Sequence, residues 1–313
     1  MAKANLKLFA LNGNKPLAKK IAEALGVELW PASVKHFADG EIQIDIDKSI
    51  RGDDVYVIQS VSDPVNENFM ELMIMVDALR RASAHRINVV IPYYGYARAD
   101  RKARAREPIT AKMVANMLEM NGVDRVVTVD LHADQLQGFF DIPVDHLRAL
   151  PILAKYFIDE GITDNVVAIA PDHSGTKLAR KFAEQLGAPL AIIDARPGDE
   201  NIGVIGDVQG KTAVIVDDMI DTGIRIEESV RALQEAGAKD IYAVATHAVL
   251  SAGAATRLRD QPLRKIVVTD TIDIPEEKCL PNMVQISVGK LIGNAIELIS
   301  NNQSIHELFE DLD

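Results

Sequence analysis

The chain has 313 residues, with 34 Lys and Arg against 46 Asp and Glu, a net charge of −12, and 48% hydrophobic residues. At roughly 150 residues per domain this length predicts about two domains, and the composition is that of an ordinary globular protein rather than a disordered one. The acidic balance speaks against nucleic acid or a membrane surface as partner, since both need a positive face.

Taken in chain order, Leu8–Leu11 is apolar but too short for a signal-peptide core, and no apolar run approaches the ~18 residues of a membrane span. Asp39-Gly40 reads as a turn, and Glu41–Asp47 alternates strictly, which predicts a half-exposed strand paired antiparallel. Val55–Gln59 reads as a buried strand. The helix after it carries Phe69, Leu72, Met73, Val76 and Leu79 on one face; Met70, Met73 and Met75 are read as core or subunit-contact residues. A strand at Ile87–Ile91, a helix at Ile109–Met120 and a strand at Val126–Val129 follow. The rhythm then repeats, with strands at 166–170, 190–193, 212–216, 241–245 and 266–268 and helical patterns at 176–186, 226–236 and 288–299. Continuous apolar strands alternating with helices predict parallel sheets covered on both faces. The joint is expected near Asp145–Pro151, giving domains 1–148 and 149–313. The lone cysteine, Cys279, excludes an intramolecular disulfide and a cysteine zinc site and suits a reducing, cytoplasmic setting.

In open parallel sheets ligands bind beyond the carboxyl ends of the strands. After Thr212–Val216 come Asp217-Asp218-Met219-Ile220-Asp221-Thr222-Gly223 and a helix. Carboxylates at a strand end can hold sugar hydroxyls or hydrated Mg²⁺, and a helix start offers free N–H groups to a phosphate. A solvated acidic turn with an N-cap would look the same. Arg98–Arg106 carries five cations and one anion. That run is either a solvated loop or a flap over a triphosphate, and its place after a strand and Tyr93-Tyr94-Gly95-Tyr96 favours the flap. His132 and Asp172 each follow a strand, and Asp172 also reads as an N-cap.

The segment Val214–Gly223 resembles the phosphoribosyl-pyrophosphate loop of type I phosphoribosyltransferases and their relatives. Asp130-Leu131-His132-Ala133-Asp134-Gln135-Leu136-Gln137-Gly138-Phe139-Phe140 is similar to one relative only, the ribose-phosphate pyrophosphokinase family. Phe37–Glu41, Tyr96–Arg98, Pro108–Lys112 and Thr246-His247 match it too, in order along nearly the whole chain. The resemblance implies an α/β protein of two similar type I phosphoribosyltransferase-like domains, each a mostly parallel sheet flanked by helices. The family moves the diphosphate of ATP to the C1 hydroxyl of ribose 5-phosphate, giving phosphoribosyl pyrophosphate and AMP.

For individual residues the resemblance implies Phe37, Asp39, Glu41, Arg98, Ala99 and His132 at ATP, with Phe37 stacking on the adenine bound by a neighbouring subunit. Asp217, Asp218, Asp221, Thr222, Gly223, Ile224 and Arg225 would hold ribose 5-phosphate, and His132 and Asp172 would sit at Mg²⁺. His132 and Arg196 would be the catalytic groups. The composite site implies an oligomer, dimers stacked into a hexamer, or a mixed assembly with an active synthetase.

The chain also departs from the family pattern. The usual Lys-Arg-Arg is Ala195-Arg196-Pro197, the small residue and Thr after Gly223 are Ile224 and Arg225, the Gly-Gly after Asp172 is Ser174-Gly175 after His173, and the Gln beside Arg98 is Ala99. A missing cationic stabiliser can cost roughly two to three orders of magnitude in rate. Similar losses mark the divergent second synthetase-like chain of some bacteria. Two functions therefore compete: a ribose-phosphate pyrophosphokinase of reduced activity, or a non-catalytic regulatory paralogue. A phosphoribosyltransferase that consumes phosphoribosyl pyrophosphate is disfavoured by the duplicated domain and the ATP-type motifs.

Overall fold

Valine- and isoleucine-rich strands alternating with helices build two parallel sheets in a computed structural model of the protein, which describes residues 5–194 and 202–308. The chain divides into two units, one running through Arg148 and also taking Thr271–Asp273 and the segment from Ser287 onward, the other made of Ala149–Asp270 and Ile274–Ile286.

In the first unit the order is β1 (Leu6–Ala10), α1 (Lys15–Leu25), β2 (Ala32–His36), β3 (Ile42–Ile46), β4 (Asp54–Ile58), α2 (Val65–Arg81), β5 (Arg86–Ile91), α3 (Thr110–Asn121), β6 (Arg125–Val129) and β7 (Val144–Leu147). Its sheet runs β1-β4-β5-β6-β7, every pair parallel. Val57, Ile58, Val89, Val90 and Ile91 are fully buried, as strands covered on both faces must be. β2 and β3 form a separate antiparallel hairpin, as the alternation of Glu41–Asp47 predicts. Local signals set α1. Asn14 caps it by accepting from the Leu17 N–H at 3.1 Å, Pro16 fits its first turn, and Gly26 closes it in the left-handed region at φ 66°.

The second unit holds α4 (Leu150–Asp159), β8 (Val166–Ala170), α5 (Thr176–Leu186), β9 (Leu190–Asp194), β10 (Gly203–Ile205), β11 (Thr212–Ile220), α6 (Ile224–Glu235), β12 (Asp240–Ala248), α7 (Ala254–Arg259), β13 (Ile266–Thr269) and β14 (Met283–Ile286). The sheet order is β10-β9-β8-β11-β12-β13-β14, parallel except where β10 runs against β9. An edge-to-face cluster of Phe157 with Phe182 and Tyr242, ring centroids 5.5 and 5.8 Å apart, ties α4 to α5 and β12.

Three expectations change. The last helix, α8 (Gly289–Ser300), belongs to the first unit rather than to a continuous 149–313 domain. It packs on α1 so closely that a Cβ on Gly289 or Gly293 would stand 2.8 Å from the Cβ of Lys20 or Ala24. The expected joint near Asp145–Pro151 contains the end of a further parallel strand, β7, whose buried Asp145 and His146 hide it from an apolar-run reading. Finally, β11 does not stop at Val216 but continues to Ile220.

Candidate functional site

The length of β11 follows from its neighbours. β8 pairs with it only as far as Ile215, opposite Ile169, whereas β12 pairs with it through Ile220, opposite Ala248. Asp217 and Asp218 therefore lie on a strand extension, not in a turn, and the ladder carries on beyond it. The Leu250 N–H donates to the Ile220 carbonyl at 3.0 Å and the Ser251 N–H to that of Asp221 at 3.1 Å. The turn is only Asp221–Gly223, held by Ser251 Oγ donating to the Asp221 carboxylate and by Arg257 donating to the Thr222 carbonyl. Gly223 starts α6 at φ 77°, and a Cβ there would meet Leu258 Cγ at 3.2 Å, so both conformation and space call for glycine. Gly223 itself brings no capping side chain, and the Ile224 N–H donates to Thr222 Oγ1 at 3.5 Å.

The charged groups of this loop face one another. Asp217 is buried at 7% exposure. Arg225 gives one guanidinium nitrogen to Asp172 Oδ2 at 2.6 Å and the other to Asp217 Oδ2 at 3.1 Å. The remaining Asp172 oxygen accepts from Ser174 Oγ at 2.5 Å and from the Gly175 N–H at 2.9 Å. The second Asp217 oxygen accepts from the Asp218 N–H at 2.9 Å.

These contacts set the charge states. Burial pushes the Asp217 carboxyl well above the usual carboxylate range; Arg225 pulls it back and Asp218 adds to the rise. Burial also acts on Asp172, but the hydrogen bonds from Ser174, Gly175 and Arg225 outweigh it and hold that carboxyl low. Burial acts against the Arg225 cation too, and the carboxylates of Asp217 and Asp172 overcome it.

In the first unit, Phe37, Asp39 and Glu41 occupy the tip of the β2–β3 hairpin. The Phe37 N–H donates to the Glu41 carbonyl at 2.8 Å, the Gly40 N–H to that of Phe37 at 2.9 Å, and Asp39 Oδ1 accepts from the Glu41 N–H at 3.1 Å. The Phe37 ring is half exposed. Beneath it, His36 Nε2 lies 2.8 Å from Oε1 of the buried Glu71, which also accepts from Asn12 Nδ2 at 2.6 Å and Gln59 Nε2 at 2.9 Å. Nothing in the sequence marks Asn12, Gln59 or Glu71 for this role. Glu71 sits inside the apolar face of α2, and only the exposed His36 beside an alternating strand hints at its partner. Of the three methionines on that helix, Met75 is wholly buried and Met70 exposed.

Arg98 and Ala99 begin the cationic segment, which has no helix or strand from Arg98 to Arg106. Ala99 is held by its backbone: its N–H donates to the Tyr96 carbonyl at 2.9 Å, and its carbonyl accepts from Ala111 at 3.1 Å. Glu107 Oε2 accepts from the N–H groups of Ala103 and Arg104 at 2.9 and 2.8 Å, which bends the segment back. His132 is exposed in the loop after β6. That loop is pinned from β7 and beyond: the Leu131 N–H donates to His146 Nε2 at 2.7 Å, and Arg148 reaches Asp134 Oδ1 at 2.6 Å.

His132 and Asp172 belong to different units. Among the described residues no group of three or more His, Cys, Asp or Glu side chains is arranged to hold a metal ion. Asp172, with its oxygens taken by Ser174, Gly175 and Arg225, does not offer a seat for Mg²⁺ in this arrangement. Ala195, Arg196 and Pro197 lie outside the described residues.

Comparison with known proteins decides the family. A model described as the N-terminal domain of ribose phosphate pyrophosphokinase matches residues 6–122, and one described as the phosphoribosyl synthetase-associated domain matches residues 195–310. The chain belongs to the ribose-phosphate pyrophosphokinase family. It is 58% identical to ribose-phosphate pyrophosphokinase 2 of Enterococcus faecalis, covering 97% of this chain and 96% of that one. It is 54% identical to ribose-phosphate pyrophosphokinase of Bacillus subtilis, over 97% of each chain. The crystal structure of phosphoribosylpyrophosphate synthetase from Mycobacterium smegmatis matches with a TM-score of 0.92 at 44% identity, covering 95% of this chain and 99% of that one. The α/β architecture of two phosphoribosyltransferase-like domains is therefore that of the ribose-phosphate pyrophosphokinase family, and the β11–α6 turn and the β2–β3 hairpin both fall within its two family models.

Proposed function

We propose that the chain is a ribose-phosphate pyrophosphokinase. The C1 hydroxyl oxygen of ribose 5-phosphate attacks the β-phosphorus of ATP, the bond to the α-phosphate oxygen breaks, AMP leaves, and the hydroxyl proton is lost. Little covalent chemistry falls to the protein in such a transfer; its work is positioning and charge neutralisation. The observation that carries the reading is the strand extension bearing Asp217 and Asp218, which turns through Asp221–Gly223 directly into the start of α6. Carboxylates suit the ribose hydroxyls, and the backbone N–H groups at the start of α6 suit the 5-phosphate. Phe37, Asp39 and Glu41 would face the adenine, Arg98, Ala99 and His132 the triphosphate, and Arg196 would be a candidate for the lost transfer cation. Mg²⁺ would enter as the counter-ion of ATP, and no step is assigned to a metal on Asp172.

A hairpin whose tip side chains are offered outward fits a site completed by a second subunit, hence a homo-oligomer, with dimers stacked into a hexamer as the family form. No helix among the described residues is long and apolar enough to cross a membrane, and a cytoplasmic location is part of the proposal.

One observation favours the alternative of a regulatory paralogue acting with an active synthetase: Arg225 already engages the carboxylates of Asp172 and Asp217. AMP formation from ATP, Mg²⁺ and ribose 5-phosphate, with an ATP-only control, separates the two. Sugar-dependent turnover supports the enzyme. Intact ATP binding without turnover supports the paralogue, to be followed by mixing with an active homologue.

A further inference from the structure

We infer that Arg225 is an internal counter-cation that closes the sugar-phosphate loop on itself. A divalent cation or a sugar would reach Asp172 and Asp217 only when the guanidinium leaves.

The placement of Arg225 needs an explanation. It is the second residue of α6, where the free N–H groups carry partial positive charge and a cation is unfavourable. A lysine- or arginine-rich surface loop would leave such a side chain in water. Here the guanidinium instead spans two carboxylates, one from the loop after β8 and one from β11, with one nitrogen at 2.6 Å and the other at 3.1 Å. Its planar fork is what allows one side chain to serve two acceptors at once. The bridge is not a buried structural pair. The Arg225 side chain is 43% exposed and that of Asp172 is 31% exposed, while Asp217 is 7% exposed. The cation therefore lies over a buried carboxylate from the solvent side, as a bound cation or a sugar hydroxyl would.

The neighbouring contacts close the other routes. Asp172 Oδ1 is occupied by Ser174 and Gly175, so Oδ2, the oxygen Arg225 holds, is the one a ligand would have to take. Asp217 Oδ1 is likewise engaged by the Asp218 N–H, and its Oδ2 by Arg225. One side chain thus holds Oδ2 of both carboxylates. The Asp172 half of the bridge is partly exposed, and such a pair is weak enough for a ligand to displace. The bridge thus acts as a competitor that weakens ligand binding rather than as a permanent block. That the sugar is ribose 5-phosphate rests on the function proposed above; the competition for a cation does not.

The test uses the full chain and two variants, Arg225→Ala and Arg225→Gln, the second keeping length without charge. Thermal melting first shows which variants fold. Mn²⁺ alone, without nucleotide or sugar, is then titrated while free Mn²⁺ is followed by electron paramagnetic resonance. Ribose 5-phosphate binding is measured by calorimetry and AMP release by the coupled assay. The expected result is Mn²⁺ binding at least tenfold tighter in a folded variant than in the parent, with ribose 5-phosphate binding tighter as well. Unchanged or weaker Mn²⁺ binding in a folded variant overturns the inference. So does a tenfold loss of ribose 5-phosphate affinity, which would make Arg225 a phosphate ligand. Tighter Mn²⁺ binding with no sugar-dependent AMP release in any of the three proteins supports the internal cation and removes the proposed enzymatic function instead.

Discussion

The β2–β3 hairpin and the β11–α6 turn present functional side chains in opposite ways. At the hairpin, charge is settled below the tip: the buried Glu71 satisfies His36, Asn12 and Gln59, and Phe37 is left half exposed. At the turn, the groups that would meet the ligand satisfy each other, Asp172 and Asp217 through Arg225. A pre-positioned recognition element needs its supports engaged and its tip free. A loop whose tip groups are paired must break those pairs before it binds. The first arrangement costs little on binding, and the second sets an affinity penalty equal to the pairing it gives up.

The largest effect should come from removing the turn's carboxylates. Asp217→Asn with Asp218→Asn is expected to lower sugar-dependent AMP release about a hundredfold or more, since two charge-assisted hydrogen bonds of roughly 1.5–3 kcal/mol each are lost. Steady-state kinetics in ribose 5-phosphate measures it. A change no larger than that caused by altering the hairpin would remove the turn from the sugar site. Because Asp217 also holds Arg225, the single and double variants should not add.

Next comes Glu71→Leu. It removes the buried carboxylate that Asn12, His36 and Gln59 share, while Gln59 Nε2 keeps its bond to the Asn68 carbonyl at 2.9 Å, for an expected loss of about 2 kcal/mol in unfolding stability, read from the denaturant midpoint. The KM for ATP should rise with it as the hairpin loses its support. A stable variant with an unchanged KM would mean that Glu71 does not position the tip.

Phe37→Ala sharpens the contrast by leaving the support intact. With the ring half exposed, stability should stay within about 0.5 kcal/mol. The affinity for ATP should nevertheless fall about tenfold, the worth of one lost base–aromatic stack. Equal loss for ATP and for inorganic triphosphate would show that the ring does not read the base.

The smallest effect is in pH. Asp172 is held low in the folded protein, so its contribution is present above the unfolded carboxylate value near 4 and disappears as pH falls through the folded one. Asp217 is pushed up by burial, so its effect has the opposite sign: as pH falls through its raised value it takes up a proton and stability increases. Melting temperature against pH should therefore lose part of its acid limb below about pH 4 in Asp172→Asn, by less than about 1 kcal/mol after solvent screening. An unchanged limb would show that its hydrogen bonds do not bias its protonation.

The strict alternation of Glu41–Asp47 made the hairpin readable, because a strand with one wet face must alternate. The valine and isoleucine runs made the parallel sheets readable, because strands covered on both faces have no polar side. The order of motifs from Phe37–Glu41 through Asp217–Gly223 carried the family. Glu71 was not readable, since one carboxylate among apolar helix residues shows its purpose only when Asn12, His36 and Gln59 meet it from elements far apart in sequence.

Strand register decided the rest. Where β8 stops pairing and β12 does not, Asp217 and Asp218 become strand residues on a one-sided extension, and no local pattern records where a neighbour ends. The small faces of Gly289 and Gly293 send α8 to α1, a choice made by close packing between segments that sequence separates by most of the chain. Arg225 reads in sequence only as a cation in place of a small polar residue. Its role as a bridge exists because the fold sets the loop after β8 and the extension of β11 one guanidinium apart. The elements and the chemistry at their ends follow from the order of residues alone, because periodicity and composition are local. Which charges meet depends on long-range pairing, which no local pattern records.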